Sequence, residues 1–183
     1  MDKLGAFGGG PELAKIITGN IIWHRIVTAI WQLAWEVDAM EATIRGMLAQ
    51  LQEICSSTLS VSKASQGKNA YALAGTIRGI VTIHASNPTR IWWGLADHVL
   101  QRLNAQNLPW AAVLLEHDNN HGFVWSSSSL IEGIAAQRWT YQQKSGRHFK
   151  FQTRKDLRGS YRFLSVSELL GILRVVLDGA ETE

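Results

Sequence analysis

The sequence predicts a mixed α/β fold: a long N-terminal helical arm followed by a small mixed sheet flanked by helices. Three observations predict it. Apolar residues recur on a helical heptad between Pro11 and Ser56. Two strand-like runs, Trp110 to Leu115 and Phe123 to Ser126, are separated by a turn-forming His-Asp-Asn-Asn-His-Gly. Shorter helical patterns alternate with the strand-like ones to the C-terminus. At 183 residues and 46% hydrophobic, the chain can bury one normal core and carry an appendage.

The arm is the clearest element. Pro11 suits a first helical turn, and Gly8, Gly9 and Gly10 precede it as a flexible lead-in. With Ile16, Trp23, Ile30, Val37, Ile44 and Leu51 at position a, position d holds Gly19, Ile26, Leu33, Met40, Met47 and Ile54. Eleven of these twelve positions are apolar, the seam of a two-stranded coiled coil. A continuous helix would run about 60 to 70 Å, longer than a compact domain of this size needs. The sequence therefore points to a homodimer through the N-terminal helix, over residues 16–54. The alternative is a bend near Gly46, with the seam filled from within the chain by the closing helix. In the first half, Ile17, Ile21, Ile22, Trp31 and Trp35 put apolar groups on further faces as well. His24, Arg25 and Gln32 lie within the most apolar window, which argues against a membrane-spanning helix.

Residues 56–69 are small and polar and read as a loop. Residues 70–84 begin Ala-rich and end β-branched, as a helix tail or a buried strand would. Ser86 to Thr89 is a turn into a helix over about 90–104, with Ile91, Leu95, Val99 or Leu100, and Leu103 inward. The hairpin of 110–126 follows. Ser128 or Ser129 then caps a short helix near 130–137. Strands and turns punctuated by Gly146 and Gly159 come next, and a helix over 168–177 closes the chain.

Charge is concentrated in one place. Residues 138–163 hold eight Lys or Arg against one acid, Asp156, a local charge of +7 in a chain whose whole formal charge is +3. Trp139, Tyr141, Phe149, Phe151, Tyr161 and Phe163 are interleaved with the cations. Cations neutralise phosphates and aromatic faces stack on bases, so the segment has the character of a nucleic-acid footprint. Arg138, Lys144, Arg147, Lys150, Arg154, Lys155 and Arg158 are the candidate phosphate contacts. The plainer readings are a solvated face or a surface for an acidic partner. Phe149 and Phe151, two apart, suit the inward face of a strand, with His148, Lys150 and Gln152 outward. The expected division is a helical, dimerising region at 1–56 and an α/β nucleic-acid-binding domain at 57–183.

The run from Ser86 to Trp125, SNPTRIWWGLADHVLQRLNAQNLPWAAVLLEHDNNHGFVW, resembles the second half of restriction-endonuclease-like nucleases of the PD-(D/E)XK fold. It shares a turn with Asn-Pro, a helix, then a Trp-opened strand paired to one containing Gly-Phe-Val. The resemblance implies that the basic, aromatic stretch downstream contacts DNA. It also implies an Asp and an acid-x-Lys on the strand before the helix, where two carboxylates hold a divalent metal and the Lys helps activate water. The matching strand here is GTIRGIVTIH, and no residue between Ile54 and Ala96 carries a carboxylate. The expectation is thus a restriction-endonuclease-like domain without the family's metal site.

Arg78 and His84, in RGIVTIH, are similar to the Arg-x(4–6)-His motif of HEPN ribonucleases. That similarity implies metal-independent RNA cleavage, the Arg stabilising phosphorane charge and the His transferring a proton. A helical 70–84 would suit it. The plain reading is a surface Arg and a His ending a buried segment. Glu116, His117, Asp118 and His121 are potential metal ligands, but they are also the residues a hairpin turn uses. No metal and no cofactor is expected. The single Cys55 excludes an intramolecular disulfide and a cysteine-based zinc site. With an N-terminus unlike a signal peptide, it fits a cytoplasmic location.

Overall fold

The computed structural model describes residues 11–55, 57–86, 92–116, 121–136, 139, 141–143, 146–152 and 156–178, with the side chains of all but 11–24, 33 and 141–143. In chain order the elements are α1 (Pro11–Cys55), β1 (Leu59–Lys63), β2 (Ala70–Gly75), β3 (Gly79–Ala85), β4 (Trp93–Ala96), α2 (Asp97–Asn104), β5 (Trp110–Leu115), β6 (Gly122–Ser126), α3 (Ser127–Ala135), β7 (Tyr141–Gln143), β8 (Gly146–Phe151), β9 (Tyr161–Phe163) and α4 (Val166–Asp178). A six-stranded sheet has the order β1-β2-β3-β5-β6-β9, antiparallel except for the parallel pair β3 and β5. A second, antiparallel sheet has the order β4-β8-β7. The architecture is the expected one in outline: mixed α/β, an N-terminal helix, and a mixed sheet flanked by helices.

The central strand explains the layering. Every residue of β5, WAAVLL, is buried, as in a strand covered on both faces. Ala111, Val113 and Leu115 feed one core, together with Met47 and Leu51 of α1 and Leu169 and Leu173 of α4. Trp110, Ala112 and Leu114 feed the other, with Leu100 and Leu103 of α2, Leu130 of α3, and Phe149 and Phe151 of β8. The period-two alternation thus sends successive side chains into different cores. At the start of α4, Glu168 N–H donates to Ser165 Oγ at 3.2 Å, an N-cap bond, and Leu164 N–H donates to Glu168 Oε2 at 2.7 Å.

Several local expectations are corrected. The loop expected at 56–69 contains β1; within 70–84, Ile80, Val81 and Ile83 lie on the buried strand β3, the strand alternative, while the Ala-rich start forms a further strand, β2. Gly75 and Gly79 flank the reversal at φ +133° and +155°, which other residues adopt only with strain. At Gly79 a Cβ would also lie 2.7 Å from the Pro109 carbonyl oxygen, which accepts from Ile80 N–H at 2.9 Å. The helix expected from residue 90 starts at Asp97, because Trp93–Ala96 is taken up by pairing with β8. Residues 87–91 lie outside the described residues. The cap of α3 is Ser126, whose Oγ accepts from Ser129 N–H at 3.2 Å, not Ser128 or Ser129.

The helical arm needs the largest revision. By their own contacts the described residues fall into two units, one ending at Asp38 and one starting at Ala39, both within the span of α1. Ile44, Met47 and Leu51, seam positions of the last heptads, are 4%, 0% and 1% exposed in the chain's own core. They are therefore not available to a second copy, and the expected dimer seam cannot extend over them. Helix α4 contributes to filling that seam, as the alternative expects, but α1 runs unbroken through Gly46. In the first unit, Ile26, Ile30 and Val37 of the same seam are exposed, as are Trp31 and Trp35.

Candidate nucleic-acid interface

Alternation along β8 builds the candidate surface. Phe149 and Phe151 point inward, and Phe151 packs against Trp125 and Trp139 with ring centroids 4.9 and 5.1 Å away. His148 and Lys150 therefore point the other way. Their partners on β4 are small: Ala96 lies opposite His148 and Gly94 opposite Lys150. The Trp92 ring lies against Gly94, where a Cβ would come within 3.1 Å of Trp92 Cζ3. Lys150 Nζ sits 4.8 Å from the centre of the same ring. Two small residues thus leave room on the outer face of the small sheet for a half-buried indole beside a cation.

The other candidate cations are arranged differently. Arg147 is exposed, but it lies on the Phe149 side of β8, its guanidinium 5.5 Å from that ring. Arg147 and Lys150 are thus on opposite faces of one strand. Arg158 is exposed in the turn after β8. In that turn Asp156, the segment's one acid, accepts from Gln152 N–H at 2.8 Å, so its charge is engaged by the backbone. Arg162, which sequence reasoning did not name as a contact, is exposed on β9 with its guanidinium 6.0 Å from the Phe123 ring. Arg138, Lys144, Arg154 and Lys155 lie outside the described residues.

The aromatic interleaving is mostly core. Trp139, Phe149, Phe151 and Phe163 are at most 3% exposed, and Tyr161 alone of those described is open, at 48%. Trp92, the ring beside Lys150, falls outside the basic segment. Only the pairing of β4 with β8 brings the two together.

Arg78 and His84 are not brought together. The motif is extended, not helical: Arg78 is exposed in the turn before β3, and His84 is near its far end. Six residues of strand separate them by about 20 Å. His84 Nε2 is 2.8 Å from Thr82 Oγ1, and burial pushes its pKa down to about 4. The ring is neutral at neutral pH, and Arg78 lies at the other end of the strand.

The described residues do not fit a divalent metal. Neither β2 nor β3 carries an acid, and no group of three His, Cys, Asp or Glu is placed to hold a cation among the described residues. At the hairpin, Glu116 N–H donates to the His121 carbonyl at 3.1 Å, as a turn requires, while His117 and Asp118 lie outside the described residues. Among the described residues no helix is long and apolar enough to cross a membrane. No family model, curated protein or solved structure matches the chain.

Proposed function

We propose that the chain binds nucleic acid, DNA in preference to RNA, through the outer face of the small sheet and the turn that follows it. The observation that carries this reading is the Lys150–Trp92 pair, at 4.8 Å, within a segment of net charge +7. A cation beside a half-exposed ring offers a phosphate contact and a stacking surface in one place. The preference for DNA rests on the resemblance to restriction-endonuclease-like nucleases. That resemblance includes a Trp-opened strand paired to one containing Gly-Phe-Val, and β5 and β6 are so paired. With no acid on β2 or β3, binding without metal-dependent cleavage is the reading the residues favour.

The same proposal includes a homodimer joined through the N-terminal part of α1, supported by the exposure of Ile26, Ile30 and Val37. A second reading draws on the burial of the aromatics. With most rings in the core, the surface charge alone would suit an acidic protein partner, and the chain would be an assembly subunit.

Fluorescence anisotropy with labelled duplex DNA, single-stranded DNA and RNA separates these readings. Nucleic-acid binding should weaken steeply with salt. Contacts from Lys150 and Arg158 alone would give a logarithmic slope of about −1.4 to −1.8. No binding to any of the three at low salt would reject the proposal and favour the assembly reading.

A further inference from the structure

A second site lies at the opposite end of the large sheet. There Arg78, Asn104, Gln106, Asn107 and Ser127 join an apolar floor, which includes Leu108 and Ile131, around a pocket of about 470 Å³. That volume falls within the range of small-molecule sites, about 300–1,000 Å³. The pocket sits where β5 begins, at Trp110. The small sheet is tied to the strand's other end, Leu115, by the Trp93 indole, so about 15–20 Å of strand separates the pocket from the Trp92–Lys150 surface.

The lining has a definite chemistry. Among the described residues that line the pocket, Arg78 is the one cation and none is acidic. Among the described residues the Arg78 guanidinium has no ion-pair or hydrogen-bond partner. A guanidinium presents a planar fork of donors that fits phosphate or carboxylate. Asn104 is oriented by Trp110, whose indole N–H donates to its Oδ1 at 3.0 Å. Its amide N–H groups have no partner among the described residues. Three carboxamides offer both donors and acceptors, which a bare anion would leave unused and the edge of a heterocycle would engage. Ile131, 42% exposed on α3, supplies an open apolar surface on the wall.

We propose that this pocket binds a nucleoside monophosphate, with Arg78 on the phosphate, Asn104 and Asn107 on the polar edge of the base, and Leu108 and Ile131 against its flat face. The proposal is independent of nucleic-acid binding at the small sheet.

Isothermal titration of the full chain with adenosine 5′-monophosphate tests it, with adenosine and inorganic phosphate as comparison ligands. One saturable site is expected for the nucleotide, and at least about tenfold weaker binding for either fragment. Arg78→Gln, at an exposed position, should weaken nucleotide binding at least about tenfold by removing a charge-assisted pair. Asn107→Ala should weaken it while leaving the response to inorganic phosphate unchanged. Lys150→Glu should leave nucleotide affinity unaltered. Absence of saturable binding, equal affinity in Arg78→Gln, or loss of binding in Lys150→Glu would each overturn the assignment.

Discussion

The indole N–H of Trp93 donates to the Leu115 carbonyl at 2.7 Å, tying the small sheet to the end of the central strand. Leu115 also receives Ser86 N–H, at 2.8 Å, so one carbonyl anchors two segments. Trp93 is 2% exposed, and its ring meets Phe123 edge-on with centroids 6.0 Å apart. Trp93→Phe keeps most of the packing and loses the hydrogen bond, so unfolding in urea should show a loss of about 1 kcal/mol. Trp93→Ala should lose about 3–5 kcal/mol. A Trp93→Ala protein as stable as the wild type would show that the small sheet is held by other contacts.

Gly133 matters through what lies against it. A Cβ there would collide with the Trp139 ring, which packs against Trp125 and Phe151 with centroids 5.2 and 5.1 Å away. Alanine would gain about 1 kcal/mol of helix propensity in α3. Overpacking a closed aromatic cluster costs about 1–3 kcal/mol. Gly133→Leu should cost more and perturb the near-ultraviolet circular dichroism of the tryptophans. An unchanged spectrum would contradict the packing described.

Ile30 and Ile44 share heptad position a but have opposite surroundings, 59% and 4% exposed. Ile30→Asp should leave the fold intact and, by placing a charge in the proposed seam, dissociate the homodimer in sedimentation velocity. Ile44→Asp should instead unfold the α/β body, since a carboxylate has no partner in that core. A monomeric wild type at tens of micromolar would reject the dimer while leaving the Ile44 prediction standing.

His84 gives the fold a pH dependence. Its folded pKa is about 4, against an ordinary 6.5, because burial disfavours the imidazolium. The unfolded chain therefore binds the extra proton more readily. Stability from this group is complete above pH 6.5 and falls as pH drops from 6.5 towards 4, by about 3 to 3.5 kcal/mol in total. Urea denaturation at pH 7.5 and pH 5 should show this loss in the wild type and a smaller one in His84→Leu. Equal losses in both would assign the acid sensitivity to other groups.

The parts of the fold legible in the sequence are those decided locally. WAAVLL reads as a buried strand because no polar residue interrupts it, and β8 reads correctly because Phe149 and Phe151 share a parity. The meander of β1 to β3 was illegible. AYALAG has a helix-like composition, and its strand state comes from pairing with Leu59–Lys63 on one side and Gly79–Thr82 on the other. Trp92 has the same difficulty. Nothing near it in sequence is basic enough to mark it, and Lys150 reaches it only because β4 pairs with a strand over fifty positions away. The heptads of α1 also look uniform in sequence, yet Ile44, Met47 and Leu51 near its C-terminal end are buried in a core shared with α4 and the sheet, while Ile30 is exposed.

The most direct test of the central claim is the salt dependence of DNA affinity in the wild type, Lys150→Glu and Trp92→Ala. Trp92→Ala should lose about 1–3 kcal/mol of affinity for single-stranded DNA with an unchanged salt slope, because stacking carries no charge. Lys150→Glu should weaken binding and make the slope shallower by about 1 or more. Wild-type affinity and slope in both variants, each confirmed folded, would contradict the assignment of this face.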